Sequence, residues 1–263
     1  MGILNVTPDS FSDGGSYASV QAAVDAGMRM LEEGADLVDA GGESTRPGAQ
    51  PVALEEELRR VLPVVEGLAR RGARVSVDTS KAEVARQALE RGAKVVNDVT
   101  ALSDPEMASV CTASGCTVCL MHMQGTPATM QKNPSYGDVV SEVRDFLLER
   151  VGHARSAGIA GERIWIDPGI GFGKTDEHNM ALIRGLPVLV ETGFPVLLGV
   201  SRKGFIGRIV GSKEHPASIP ERLPGTLALQ VIAQLAGVSI IRTHDVKEAR
   251  AVARMVEAAS CRV

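Results

Sequence analysis

Short runs of apolar residues recur along the chain, and polar turn residues separate each run from a segment whose apolar positions repeat with a helical period. There are eight such runs, covering residues 2–6, 37–40, 75–78, 95–97, 117–122, 164–167, 196–199 and 239–242. Each run is too short for a helix and is bounded by turn-forming residues. The pattern therefore predicts eight strands that alternate with helices.

The helical period is clearest in the segments after the first strand and after the last one. The aligned apolar positions are Val20, Ala23, Val24, Gly27 and Leu31 in the first, and Ala249, Val252, Ala253 and Val256 in the last. Eight alternations in 263 residues are typical of a (β/α)8 TIM barrel. The alternative is an open, doubly wound sheet, but the first unit lacks a Gly-x-Gly-x-x-Gly turn. Because no linker divides the chain, we predict a single domain over residues 1–263.

Composition narrows the class of protein further. Hydrophobic residues make up 44% of the chain but aromatic residues only 3%, so the core must consist of Val, Ile, Leu and Ala. A net charge of -4 with interspersed signs argues against nucleic acid or an anionic membrane as the main partner. The chain opens on a predicted strand with no basic leader, and no apolar run approaches the ~20 residues of a membrane span. We therefore expect a soluble, cytoplasmic protein.

The four cysteines indicate no disulfide framework. Cys116, Cys119 and His122 have a spacing that resembles a metal site, but residues 117–122 read as a strand and no second ligand pair follows at a suitable distance. A structural role for these residues is the preferred interpretation.

Polar residues stand where each predicted strand ends. They are Asn5, Asp39 with Glu43, Asp78, Asn97, His122, Asp167, Ser201 with Lys203, and Arg242 with His244. In a barrel the carboxyl ends of the strands meet at one mouth, where the reactive groups gather. Short oxygen side chains at such positions often cap the next helix, whereas Lys203, Arg242 and His244 are donors and cannot cap a helix N-terminus. The whole set therefore indicates a binding site.

This set divides into two chemical groups. Asp78, Asn97 and Asp167 are acceptors that suit a flat, nitrogen-rich ring, because a carboxylate can accept two hydrogen bonds from a guanidine-like edge. The other group offers donors for phosphate oxygens and consists of Asn5, Arg242 and His244, with Arg46 as a possible addition. One mouth thus combines a heterocycle half with an anion half.

Several longer motifs resemble the dihydropteroate synthases of the bacterial folate pathway. They are ILNVTPDSFSDGG, GGESTRPGA, SVDTS, VVNDV, LMHMQG, DPGIGFGK, GVSRKGFIG and IIRTHDV, which together span nearly the whole chain. The resemblance implies a (β/α)8 barrel that joins 6-hydroxymethyl-7,8-dihydropterin diphosphate to 4-aminobenzoate and releases diphosphate. It also implies Mg²⁺ as the cofactor, a homodimer and inhibition by sulfonamides. Relatives usually carry a short segment before the first motif, which this chain lacks.

The resemblance also assigns roles by motif position. The residues implied to bind the pterin are Asp78, Asn97, Met121, Asp167, Phe172 and Lys203. Those implied to bind diphosphate are Asn5, Arg242 and His244, with Asn5 also facing the metal. Those implied to meet aminobenzoate are Phe11, Thr45, Arg46, Pro47 and Ser201. Lys203, Arg242 and His244 are the implied catalytic residues, and the loop around Phe11 is expected to form a lid.

The chemistry that these groups support is loss of a leaving group. An arylamine is a weak nucleophile, so we expect help mainly at the departing diphosphate, with the electron-rich dihydropterin sharing positive charge on its methylene carbon. Such a dissociative path requires no enzyme nucleophile, and the sequence shows no Ser/His/Asp or Cys/His set. Two alternatives remain. A barrel that transfers methyl from methyltetrahydrofolate to a corrinoid protein would share the acceptors but not the anion pair, and a ligand-binding module would lack turnover.

Overall fold

The computed structural model describes residues 1–6, 16–46 and 48–260. Eight strands lie in these ranges: β1 (Gly2–Asn5), β2 (Val38–Gly41), β3 (Val75–Asp78), β4 (Val95–Asp98), β5 (Thr117–Met121), β6 (Ile164–Asp167), β7 (Leu197–Gly199) and β8 (Ile240–Arg242). All eight predicted strands are confirmed, with every boundary within one residue of the prediction.

Helices separate the strands. In the described ranges they are α1 (Ser16–Glu32), α2 (Leu54–Arg70), α3 (Ala82–Glu90), α4 (Met107–Ser114), α5 (Val139–Ser156), α6 (Asp176–Arg184), α7 (Leu186–Val190), α8 (Gly204–Val210), α9 (Leu223–Leu235) and α10 (Val246–Ser260). The ends of several helices follow from local chemistry: the Asp138 side chain caps α5, and α4 stops at Gly115 in a left-handed conformation. β6 is followed by two helices, α6 and α7, and β7 is also followed by two, α8 and α9.

The strands form a closed parallel ring. β1 to β6 pair in chain order in one sheet, and β7 pairs with β8. Single bridges join the two sheets at both edges, between Gly2 and Thr243 and between Ile166 and Val196. The Ile3 N–H donates to the Thr243 carbonyl at 2.9 Å across the first of these seams. This closure confirms the (β/α)8 barrel and excludes the open sheet.

The core consists of aliphatic side chains between the ring and the surrounding helices. Val38, Val77 and Val96 on the strands are fully buried, as are Leu68 on α2 and Leu147 on α5. Strands covered on both sides need such apolar sequences, which explains the low aromatic content. In the part of the chain that the structure describes, no helix has the length and apolar character needed to cross a membrane.

Candidate active site

The strand register brings the predicted polar residues to one level at the carboxyl end of the barrel. Asn5 on β1 is aligned with Gly41 on β2, Gly41 with Asp78 on β3, and Asp78 with Asn97 on β4. Met121 is aligned with Asp167 across β5 and β6. A parallel ring places these ends around one opening, so the expected convergence at the mouth is confirmed.

Arg242 lies at the centre of a buried polar cluster in this mouth. Its Nε donates to Asp39 Oδ2 at 2.6 Å, and its Nη2 donates to Asp78 Oδ2 at 2.7 Å. The Asn97 Nδ2 donates to the same Asp39 oxygen at 3.0 Å. Arg242 was assigned to diphosphate and Asp78 and Asn97 to the pterin, so this cluster directly connects the two halves of the predicted site.

The electrostatics of the cluster are unbalanced, because one guanidinium faces two carboxylates. Burial opposes the charge of Arg242, but Asp39 and Asp78 outweigh burial and raise the pKa of Arg242. Burial raises the pKa of Asp78 to about 7, with Asp39 adding to the effect and Arg242 opposing it. Among the described residues, the Oδ1 atoms of Asp39 and Asp78 have no hydrogen-bond partner. The mouth therefore has unused capacity for a ligand that donates hydrogen bonds.

Asp39 is fully buried, and the sequence analysis assigns it no role beyond its place at a strand end. It anchors both Arg242 and Asn97 through a single oxygen. An ionisable residue within an apolar strand is the signal that marks it, since such a side chain is rarely buried without a partner.

Asp167 and Lys203 form the opposite side of the mouth. Asp167 Oδ1 accepts a hydrogen bond from the Gly169 N–H at 2.7 Å, and burial raises the pKa of this carboxyl against the opposing charge of Lys203. Lys203 donates to the Ile170 carbonyl, and its Nζ lies 4.5 Å from the centre of the Phe172 ring. Burial lowers the pKa of Lys203 to about 8. The structure thus brings three residues of the predicted pterin set together.

The loop that carries Phe172 packs tightly against the residues that follow β5. Gly169 has a φ of +65°, and a Cβ at this position would lie 1.9 Å from the His122 carbonyl oxygen. Gly173 has a φ of +63°, and its Cβ would lie 2.4 Å from the Gln124 carbonyl oxygen. Only glycine tolerates both conditions, which gives a physical reason for the glycines of DPGIGFGK.

A buried lysine fixes the end of this loop. Lys174 is 2% exposed, and its Nζ lies 2.9 Å from His122 Nδ1 and 2.9 Å from the Phe172 carbonyl oxygen. Burial lowers the pKa of Lys174 to about 7. Burial and then the charge of Lys174 lower the pKa of His122 to about 3, so this histidine is neutral. His122 was predicted to stand at a strand end, and the structure gives it a supporting position behind the loop.

His244 is linked to Ser201. The Ser201 Oγ lies 3.0 Å from His244 Nδ1 and accepts from the His244 N–H at 3.1 Å. The Thr243 hydroxyl also donates to this oxygen at 3.4 Å, so both of its acceptor positions are in use and Ser201 can donate its own proton to Nδ1, an arrangement that places the ring proton on Nε2. Burial, followed by Arg202 and Arg242, lowers the pKa of His244 to about 4, so the ring is a neutral donor through Nε2. Ser201, which was assigned to aminobenzoate, therefore also orients a residue of the diphosphate group.

The loop that follows β2 and carries Thr45 and Arg46, called the second loop below, is anchored at its base. Lys81 pairs with Glu43 and with the buried Glu57 on α2, and Thr79 Oγ1 donates to Glu57 Oε1 at 2.7 Å. Thr45 is half-buried and Arg46 is exposed at the tip of this loop. The anchor at Glu43 fixes the point from which the loop tip extends.

The remaining predicted residues have different positions. Asn5 is half-buried at the end of β1, and Met121 is 3% exposed at the end of β5. Phe11 and Pro47 lie outside the described residues, so the predictions for these two stay predictions.

A closed barrel whose mouth combines acceptors for a nitrogen-rich ring with donors for an anion has the features expected of an enzyme that acts on pterins. The family model for pterin binding enzymes matches residues 1–244, and the chain belongs to this family. Its similarity to one group within the family is strong. The dihydropteroate synthase of Escherichia coli strain K12 is 49% identical over 259 residues, which cover 98% of this chain and 90% of that protein.

Solved structures agree with this assignment. A dihydropteroate synthase of Xanthomonas albilineans, solved with 4-aminobenzoic acid, superposes with a TM-score of 0.92 at 46% identity, covering all of this chain and 93% of the other. A Yersinia pestis dihydropteroate synthase in complex with a sulfonamide drug gives a TM-score of 0.91 at 45% identity, with coverage of 98% and 93%. Within its family, the chain therefore belongs with the dihydropteroate synthases.

Proposed function

We propose that the mouth of this barrel performs the dihydropteroate synthase reaction with the division of labour that its residues suggest. In this reaction the bond between the pterin methylene carbon and a diphosphate oxygen breaks, and a bond from that carbon to the amine of 4-aminobenzoate forms as the amine loses a proton. The observation that carries the proposal is the cluster in which Arg242 joins Asp39 to Asp78. It places a cation for the leaving group beside carboxylates for the ring.

The pterin ring would be held by acceptors that the free protein leaves unused. Asp78 Oδ1 has no partner among the described residues, and Asp167 uses one oxygen for the Gly169 N–H. Donors on the guanidine-like edge of the ring would supply the missing partners and offset the cost of burying these carboxylates, about 1 to 3 kcal/mol for each unsatisfied group. Lys203 beside Phe172 would close the other side of the ring.

The leaving diphosphate would meet neutral and cationic donors. His244 offers a proton on Nε2 because Ser201 occupies Nδ1. Arg242 has a further donor, Nη1, for which the described residues contain no hydrogen-bond partner. These donors stabilise the charge that develops as the carbon–oxygen bond breaks, and the path is dissociative because the electron-rich ring shares the positive charge on carbon.

Mg²⁺ belongs to the proposal as a companion of the diphosphate. Within residues 1–6, 16–46 and 48–260, no group of three or more His, Cys, Asp and Glu residues is arranged to hold a metal. Mg²⁺ usually keeps several waters and takes its other ligands from phosphates and one or two protein oxygens, so the single amide oxygen of Asn5 fits such an ion. When bound, the ion would neutralise charge on the leaving group.

4-Aminobenzoate would bind outside the pterin, between the second loop and Ser201. Thr45 and Arg46 lie at the tip of that loop, and the guanidinium of Arg46 suits the carboxylate of the substrate. Sulfonamides should compete for this position, since their arylamine and sulfonyl group match the length and polarity of aminobenzoate.

The decisive experiment is an assay of diphosphate release with the purified protein, both substrates and Mg²⁺. Turnover should require all three components. A matched pair of variants, Arg242→Lys in the mouth and Arg86→Lys on the exposed surface of α3, separates a specific effect from a general one. Release of diphosphate without formation of dihydropteroate when aminobenzoate is present would contradict the proposed condensation, as would full activity in Arg242→Lys. Methyl transfer to a corrinoid is the alternative that the same protein preparation can test.

We further propose that the enzyme acts as a homodimer through α8, α9 and α10. These helices present exposed apolar side chains at Ile209 (54%), Leu235 (66%) and Met255 (69%), and α9 packs beside both of the others. An apolar surface of this kind usually marks an interface. Light scattering should show a dimer that Leu235→Glu converts to a monomer. Leu148→Glu, which changes an exposed leucine on α5, should leave the dimer intact.

The three cysteines that the structure describes are free and buried, which fits the reducing cytoplasm as the site of this reaction.

A further inference from the structure

A second polar cavity lies at the end of the barrel opposite the mouth. It measures about 410 Å³ and is formed by residues that directly precede four neighbouring strands, β3 to β6. The residues that define its chemistry are Arg74, Lys94, Cys116 and Arg163. The reaction in the mouth uses none of these residues.

The cavity has an uncompensated positive charge. Arg74, Lys94 and Arg163 are all exposed, and within the described residues none of the three forms an ion pair. The residues that line the cavity include no carboxylate. The Arg163 guanidinium lies against Gly115, where a Cβ would come within 2.8 Å of Nη1. Three cations around one concave surface favour a ligand with more than one negative charge.

A thiol forms the back of this cavity. Cys116 is 6% exposed and lines the cavity, whereas Cys111, which is 1% exposed, lies behind it. The two cysteines are in contact, with Cys116 Sγ 3.9 Å from the Cys111 carbonyl oxygen. The neighbouring Cys111 is the main cause that lowers the pKa of Cys116, burial opposes it, and Ser114 and Arg163 lower it further. A thiol that lines a cavity with several cations is placed where its nucleophilic thiolate form is favoured.

We propose that this cavity is a site of thiol modification, in which Cys116 exchanges with a small disulfide that carries carboxylates. The Cys116 thiolate attacks one sulfur of the disulfide, the sulfur–sulfur bond of the reagent breaks, and a new bond joins Cys116 to that sulfur. The other half leaves as a thiolate and takes a proton from water. The carboxylates of the reagent pair with Arg163, Arg74 and Lys94 and hold its sulfur next to the thiol.

This proposal concerns the amino ends of the strands and is independent of the reaction at the mouth. A simple inorganic anion would use the cations but not the thiol, so a disulfide with acidic groups is the ligand class that matches both features. The other described cysteines provide internal references: Cys119 is fully buried within β5 and does not line the cavity.

The test compares two disulfides of opposite charge on the folded protein. Oxidised glutathione carries carboxylates, and cystamine carries two amines. After incubation and acid quenching, peptide mapping by mass spectrometry gives a rate for each cysteine. Cys116 should react at least about fivefold faster with oxidised glutathione than with cystamine at low salt, and the ratio should fall towards one near 1 M salt because screening removes the steering.

Two matched variants sharpen the result. Arg163→Met should reduce the rate ratio at Cys116, while Arg155→Met, an exposed arginine on α5, should leave it unchanged. Cys116→Ser should remove the mixed disulfide from that peptide, with folding checked by circular dichroism. Equal rates for the two reagents, an unreactive Cys116 in the folded protein, or an unchanged ratio in Arg163→Met would each overturn the proposal. The Arg163 variant keeps the test valid even if Cys116→Ser folds poorly.

Discussion

Arg242 on the last strand donates a hydrogen bond to Asp78 on the third strand, with Nη2 2.7 Å from Oδ2. The two residues are 164 positions apart, and the closed ring alone brings them together. The same guanidinium donates its Nε to Asp39, so one cation is shared between two buried acidic side chains. A substrate that brings hydrogen-bond donors to this pair would satisfy the Oδ1 atoms of Asp39 and Asp78, which have no partner among the described residues.

Removing Arg242 should destabilise the fold strongly. Arg242→Met leaves the buried carboxylates of Asp39 and Asp78 without their cation, and breaking a buried pair in this way typically costs about 3 to 5 kcal/mol. Urea unfolding followed by circular dichroism measures the change. The double variant Arg242→Met with Asp78→Asn should recover part of the loss. Arg86→Met, which removes ion pairs on an exposed surface, should cost no more than about 1 kcal/mol.

Asp167→Asn should weaken the binding of pterin diphosphate by about 1.5 to 3 kcal/mol, since it replaces a charge-assisted hydrogen bond with a neutral one. The amide oxygen can still accept from Gly169, so the loop should keep its conformation. Isothermal calorimetry gives the affinity, with the exposed Glu32→Gln on α1 as control. Equal affinities for Asp167→Asn and the unchanged protein would remove Asp167 from the site.

His244 should make folding stability depend on pH. Its pKa falls from 6.5 to about 4 on folding, so between these values the unfolded chain binds more protons than the folded one. Stability contributed by the neutral ring is therefore present above pH 6.5 and is lost as the pH falls towards 4, by up to about 3 kcal/mol. His244→Asn should remove this part of the slope, whereas His153→Asn on α5 should preserve it. Parallel unfolding curves for both variants would contradict the assignment.

Lys174→Met should weaken the binding of pterin diphosphate by loosening the loop that carries Phe172. The change leaves the Phe172 carbonyl and His122 Nδ1 without the buried donor, at a cost of about 1 to 3 kcal/mol in unfolding free energy. Since Lys174 ends the loop that holds Phe172 beside Lys203, the KM for pterin diphosphate should rise more than kcat falls. Steady-state kinetics and urea unfolding test the two parts. Lys132→Met changes an exposed lysine and should affect neither the KM nor the free energy of unfolding. An unchanged KM in Lys174→Met would show that the loop keeps its conformation without Lys174.

Aminobenzoate should bind at least about tenfold more tightly when Mg²⁺ and diphosphate are present, which is a coupling of about 1.4 kcal/mol or more. Arg46, Arg202 and Arg242 each lower the pKa of His244, so the Arg46 charge at the loop tip acts on the same part of the mouth as Arg242. An anion bound there would attract Arg46 and favour the approach of the loop tip with Thr45 to the mouth. Calorimetric titration of aminobenzoate with and without these ligands measures the effect, and equal dissociation constants would show that the subsite is already formed.

The strands were predictable because each is a short apolar run with polar turns on both sides, and a parallel ring requires that pattern. The mouth was predictable for a related reason: parallel strands in a barrel all end on the same side. Asp78, Asn97 and Asp167 could therefore be placed together before any distances were known, although nothing in the sequence gives the distances themselves.

Other features depend on contacts that local pattern does not contain. The pairing of Arg242 with Asp39 spans 203 positions, and Lys174 meets His122 only because the glycine loop turns back on the preceding strand end. His178 is a further case, because its ring accepts the Thr175 N–H in a capping box at the start of α6. In each case a long side chain finds a partner that the periodicity of its own segment does not specify.

The two seams of the ring divide the barrel unequally. β7 and β8 are joined to the other six strands by only one bridge at each edge, whereas β1 to β6 are paired along their lengths. The seam between β8 and β1 is held by backbone hydrogen bonds in both directions, from the Ile3 N–H to the Thr243 carbonyl and from the Thr243 N–H to the Met1 carbonyl. Because Arg242 and His244 flank Thr243, the diphosphate side of the mouth takes shape only when the first and last strands meet. Pairing of these two strands and assembly of that half of the site are therefore one folding event.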